Sequence, residues 1–127
     1  MPGGRVHRTD HWLVEPFPVG TLIVKPERHV TSVADLTDDE AGELGPLLRQ
    51  ASAVARDLTG AEQVYNSLWS HAGPGHIHYV VQPVTRRDME RLGTFGPSLQ
   101  VALFDRGDAP PADDVERLAE PARALFA

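Results

Sequence analysis

There is no cysteine in this chain, which excludes disulfide frameworks, thiolate metal sites and cysteine nucleophiles. Lysine is nearly absent: Lys25 is the only one, and every other basic side chain is arginine. Acidic residues outnumber basic ones 18 to 12, for a formal charge of −6. Such a chain is poorly suited to grip long nucleic acid through its phosphates, but a local pocket of opposite sign can still hold one nucleotide. No apolar run approaches the ~20 residues that cross a bilayer. The opening MPGGRVHRTDHW has no apolar signal-peptide core, so a cytoplasmic protein with no membrane partner is expected. The 127 residues suit a single domain, 1–127, long enough to bury roughly two-thirds of the surface of its unfolded chain.

The chain carries no internal repeat. His11–Val14 reads as a short strand and Thr21–Lys25 as a second, joined through Pro16, Pro18 and Gly20 as a hairpin. Thr37-Asp38-Asp39-Glu40 is a capping box. Leu44, Leu47, Leu48, Ala51, Val54, Ala55 and Leu58 then recur at helical spacing up to Gly60, a plausible stop. Pro46 lies inside this helix, where a kink or a weak start is expected. Gln63–Trp69 and His76–Gln82 read as strands, separated by Ser70-His71-Ala72-Gly73-Pro74-Gly75. The spacing predicts a weak helix over Arg86–Leu92, a short strand over Ser98–Phe104 and a C-terminal helix over Asp113–Phe126 interrupted by Pro121. Strands flanking a long helix indicate an α+β domain with an antiparallel sheet.

Chemistry concentrates at His76-Ile77-His78. Side chains alternate across a strand, so Ile77, Tyr79 and Val81 face the helix, while His76, His78, Val80 and Gln82 share the other face. Three readings compete. The pair is simply solvent-facing; or the two imidazoles bind one metal ion with His71 as a third ligand; or a neutral imidazole acts as a nucleophile. Gly73 and Gly75 let backbone approach a ligand closely, which weakens the first reading. The metal reading resembles the start of a cupin motif, but Gln82 stands near the place of the expected glutamate, and a long helix does not suit an all-β barrel. No resident metal or cofactor is expected.

Several segments occur in a specific order: Leu22-Ile23-Val24-Lys25-Pro26-Glu27-Arg28-His29-Val30; Asp35-Leu36-Thr37-Asp38-Asp39-Glu40; the long helix; Asn66; and His76-Ile77-His78-Tyr79-Val80-Val81-Gln82-Pro83. This order resembles the histidine triad (HIT) superfamily of nucleotide hydrolases and transferases, most strongly over residues 5–85, with a loop and C-terminal helix over 105–127. The resemblance implies an antiparallel sheet of about five strands carrying one long helix, and a homodimer. It implies a nucleotide or nucleotide conjugate as ligand, dinucleoside polyphosphates and nucleotide phosphoramidates among them. The middle histidine, here His78, attacks the α-phosphate; the first, His76, orients it; Asn66 lies near ribose and phosphates. The third triad position is Val80, which neither donates a proton nor bonds an oxygen. Relatives in the uridylyltransferase branch have glutamine there, so a non-histidine does not by itself end nucleotidyl transfer. Ala72-Gly73-Pro74-Gly75 replaces a segment whose side chains hold phosphate, and Thr21 replaces a histidine. Gln82 and His71 are the candidates to substitute for the missing groups. A weakened or non-catalytic nucleotide-binding module of the same fold is the alternative.

Of the remaining candidates, His29, beside Arg28, is within reach of a bound nucleotide or is a solvated strand end. His7 and His11 read as surface residues, Trp12 and Trp69 as core or interface packing, and Asp38-Asp39-Glu40 as charge complementing the helix dipole.

Overall fold

A computed structural model describes residues 4–68, 75–94, 96–104 and 112–127. Five antiparallel strands, β1 (His7–Arg8), β2 (Trp12–Pro16), β3 (Leu22–Pro26), β4 (Gln63–Leu68) and β5 (Tyr79–Val84), form one sheet in the order β1-β2-β3-β5-β4. Helix α1 (Asp38–Thr59) connects β3 to β4; α2 (Arg86–Leu92), α3 (Pro97–Phe104) and α4 (Ala112–Phe126) follow β5. The α+β class, the five-stranded antiparallel sheet, the long helix and the C-terminal helix all match the expectation from sequence. None of the described helices is long and apolar enough to cross a membrane.

The register sorts the side chains. Val14 lies opposite Val24, Glu15 opposite Ile23, and Leu13 opposite Lys25. Leu22 lies opposite Val81 and Ile23 opposite Val80. Trp12, Val14, Leu22, Val24 and Val81 therefore point to one face, where they pack with Leu47, Ala51, Val54 and Ala55 of α1 and Ala119, Ala122 and Phe126 of α4. Each large aliphatic side chain buried this way contributes ~1.5–3 kcal/mol. Trp12 is fully buried, and its indole N–H donates to the Glu40 carbonyl at 2.9 Å, so its one polar group is not stranded.

Helix α1 begins with the predicted capping box: the Glu40 N–H donates to Thr37 Oγ1, and the Thr37 N–H to Glu40 Oε1. It runs through Pro46 without interruption and ends at Gly60, whose φ of 68° is left-handed and suits glycine. In the turn Pro18–Gly20, Val19 has φ 63°, a conformation that strains a β-branched residue by ~1–3 kcal/mol.

Four expectations require correction. Ser98–Phe104 lies within helix α3, not in a strand. A short apolar run does not distinguish the two by periodicity, and Pro97 at the first helical position is the helix-start signal that decides it. Strand β5 starts at Tyr79 rather than His76, because the Ile77 N–H donates to the Val30 carbonyl outside the ladder. Pro121 does not interrupt α4. His7 is half-buried and stacks on Phe126, with ring centroids 4.6 Å apart; burial lowers its pKa. The predicted Trp69 and most of the loop before His76 lie outside the described residues.

Candidate functional site

The sheet face opposite α1 is only partly covered. Over β4 and β5 the segment containing α3 closes it. Leu99 is fully buried, Gln100 Nε2 donates to Ser67 Oγ at 2.6 Å, and the Gly96 N–H donates to the Tyr65 hydroxyl at 2.9 Å. The uncovered part is a cleft of about 470 Å³ lined by Glu15, Phe17, Ile23, Lys25, His76, His78 and Val80, a size suited to a small ligand.

The two histidines have different roles in this cleft. His76 Nε2 lies 2.8 Å from the Pro26 carbonyl. A carbonyl only accepts, so this nitrogen carries the proton. His76 Nδ1 then accepts from the Val30 N–H at 3.4 Å. Both ring nitrogens are engaged in fixing the turn after β3. His78 is exposed. Its Nδ1 donates to the His76 carbonyl at 3.3 Å, which in the neutral ring leaves the Nε2 lone pair unprotonated. The ring of His29 lies 5.2 Å from that of His76, so the turn brings a third imidazole to the same end of the sheet.

This turn is clamped from its other side by a buried carboxylate. The Arg28 guanidinium donates to Glu40 Oε1 at 2.7 Å, to Glu40 Oε2 at 3.2 Å and to the Asp35 carbonyl at 2.9 Å. Glu40 is 2% exposed. The Arg28 guanidinium, assisted by the Thr37 N–H, lowers the Glu40 carboxyl pKa to about 2. Glu40 thus joins the start of α1 to the turn that His76 grips. Sequence reading assigned Glu40 to the capping box and, with Asp38 and Asp39, to the helix dipole, and missed this connection to Arg28.

Other predicted site residues are placed differently. Asn66 lies opposite Val81, on the α1 face of the sheet, and its amide donates to Ser52 Oγ at 3.0 Å; it is not brought to the cleft. Gln82 shares the His78 face but is 4% exposed and does not line the cleft. Its Oε1 is buried without a hydrogen-bond partner among the described residues. Gly75 is exposed, and a Cβ there would meet nothing within 4 Å. His71 and Gly73 lie outside the described residues.

Four cleft residues were not anticipated: Glu15, Phe17, Ile23 and Lys25. For three of them the signal was in the pleat, since Glu15, Ile23 and Lys25 alternate with the core residues Val14, Leu22 and Val24. A larger cleft, about 830 Å³, is lined by Asp10, His11, Asp38, Asp39 and Glu43 among others. Its carboxylates disfavour a phosphate ligand, and one of them, Glu43, pairs with His11 and raises its pKa. Among the described residues no group of three or more His, Asp or Glu side chains is arranged to hold a metal ion.

No family model matches this chain, and no curated protein matches it in sequence. Its structure, however, is similar to those of histidine triad proteins. One from Sinorhizobium meliloti 1021 superimposes with a TM-score of 0.72 at 18% identity, covering 98% of this chain and 90% of the other. One from Bradyrhizobium japonicum gives 0.71 at 14% identity, covering 97% and 90%. A hypothetical histidine triad nucleotide-binding protein from Sulfolobus tokodaii strain 7 gives 0.67 at 17% identity, covering 99% and 85%. The chain therefore has the fold of the histidine triad superfamily.

Proposed function

We propose that this protein is a nucleotide hydrolase or nucleotidyl transferase that uses His78 as its nucleophile. The observation that carries this reading is the 3.3 Å contact of His78 Nδ1 with the His76 carbonyl. With Nδ1 donating there, the neutral ring offers its Nε2 lone pair beside a cleft. In the reaction, Nε2 attacks the α-phosphorus of a nucleotide. An N–P bond forms as the bond from phosphorus to the leaving-group oxygen or nitrogen breaks, and the leaving group takes its proton from solvent. Water then attacks the nucleotidyl-imidazole, breaks the N–P bond and releases the nucleoside monophosphate; a different acceptor gives transfer instead. This divides one difficult displacement into two easier ones. The name of the Sulfolobus tokodaii neighbour, a nucleotide-binding protein, accords with a nucleotide ligand.

Val80 on the cleft floor supports a second reading, a nucleotide-binding module with little or no turnover. A hydrocarbon there supplies no acid for the leaving group, and loss of such a group typically costs 10²–10⁴-fold. Nucleoside monophosphate release from dinucleoside polyphosphates and nucleotide phosphoramidates, for wild type and His78→Ala side by side, decides between them. Release that disappears in His78→Ala supports the enzyme. Absence of release, or equal release from both proteins, supports the binding module.

A further inference from the structure

We infer that Lys25 is the group that holds phosphate oxygens in the His78 cleft, in place of any donor from Val80. This rests on the nucleotide reading above and adds the residue that would recognise the anion. The β3–β5 register places Ile23 opposite Val80 and Val24 opposite Tyr79; Lys25 follows Val24 and His78 precedes Tyr79 just beyond this ladder, and both line the cleft.

The rest of the lining has little to offer an anion. Phe17, Ile23 and Val80 are apolar. Both ring nitrogens of His76 are already bonded to the turn. Glu15 is a carboxylate. Among the described lining residues, Lys25 therefore bears the one permanent positive charge, and it does so in a chain of net charge −6 with no other lysine.

Lys25 Nζ lies 2.8 Å from Glu15 Oε1, with the two side chains 31% and 15% exposed. Leu13 faces Lys25 and Glu15 faces Ile23, so the pair is diagonal across the β2–β3 hairpin. An ammonium has three N–H donors. Glu15 takes one and fixes the long side chain on the cleft wall; the others are available to phosphoryl oxygens. On an apolar, half-enclosed floor a charge-assisted bond of this kind is stronger than in open water. Lysine also suits the place as a compact point charge, since its ammonium imposes no planar fork on the ligand.

Binding of adenosine 5′-monophosphate and of inorganic pyrophosphate, measured by titration calorimetry on wild type, Lys25→Met and Lys25→Arg, tests this. Thermal melting of each variant first establishes that it is folded. Lys25→Met is expected to weaken both ligands about tenfold or more, while Lys25→Arg stays within about threefold of wild type. Wild-type affinity should fall with added salt, and the Lys25→Met affinity should not. Equal binding by Lys25→Met and wild type overturns the inference, as does a wild type that binds neither ligand. Pyrophosphate binding that depends on Lys25, without any binding of the monophosphate, keeps Lys25 as the anion site and removes the nucleotide reading. Turnover that depends on His78, with anion binding unchanged in Lys25→Met, does the reverse.

Discussion

Glu40→Gln isolates the charge that ties α1 to the turn under the histidines. The amide keeps the carboxylate's size, and its oxygen can still accept the Thr37 N–H. Its NH₂ group, however, would face a guanidinium that also has only donors. The wild-type carboxyl sits at about 2 against an ordinary 4.5, which by proton linkage corresponds to at most ~3 kcal/mol at neutral pH. Arg28 is 51% exposed, and screening by water brings the expected loss to ~1–2 kcal/mol. At roughly 3–5 °C per kcal/mol for a chain of this length, the melting temperature should fall by about 3–10 °C at pH 7. The pH dependence has a definite sign. A depressed carboxyl stabilises the fold above its unfolded value, and that contribution is lost as pH falls from 4.5 toward 2. By pH 3 more than half of the gap between wild type and Glu40→Gln should have closed. Thermal melts of both proteins at pH 7, 5 and 3 give the comparison. Equal melting temperatures at pH 7, or a gap of the same size at pH 3, would refute the clamp.

His76→Ala should cost ~1–3 kcal/mol in urea denaturation, because it strips partners from the Pro26 carbonyl and the Val30 N–H. His78→Ala, at an exposed position, should stay within about 0.5 kcal/mol; the reverse ranking would mean that the two roles are misassigned. Val80→His places an imidazole on the same face as His78, and turnover of nucleotide phosphoramidates should rise about 10²-fold if the missing group is an acid; an unchanged rate in a folded variant would show that it is not. Gly20→Ala should destabilise by ~1–3 kcal/mol. Its backbone is left-handed at φ 74°, and the new Cβ would lie 2.5 Å from Thr59 Cγ2. The Thr59 hydroxyl is tied to the Ala55 carbonyl and the Ala61 N–H, so that side chain is not free to swing away; a melting temperature equal to wild type would contradict this packing.

What was legible in the sequence was what local rules determine. The capping box at Thr37 and Glu40, the apolar stripe from Leu44 to Leu58 and the stop at Gly60 each depend on residues within one helix, and each stands in the structure as read. Strand alternation placed Ile77 and Val81 in the core and His78 on the opposite face for the same reason. Long-range pairing was harder to read. His76 shares a face with His78 by alternation, yet its ring is used on Pro26 and Val30, which are distant in sequence. Asn66 was carried over from a resemblance, whereas the β4–β5 register puts it opposite Val81 and against α1. Lys25 and Glu15 gave an alternating pattern in their own strands, but their meeting with His78 depends on β5 pairing with β3 across the intervening helix and strand. Helix α3 was misread because Ser98–Phe104 is a short, mostly apolar segment suited to either structure, while the deciding Pro97 lay just outside the segment considered.

Nucleophilic catalysis by His78 requires a bond between its Nε2 and phosphorus. Incubation with a dinucleoside polyphosphate, rapid quenching at alkaline pH, where phosphoramidates persist, and mass spectrometry of the digested protein would find that bond directly. The expected result is a nucleoside monophosphate adduct on the peptide containing His78, absent from His78→Ala. Turnover with no adduct on His78, or an adduct on His29 or His76 instead, would contradict it.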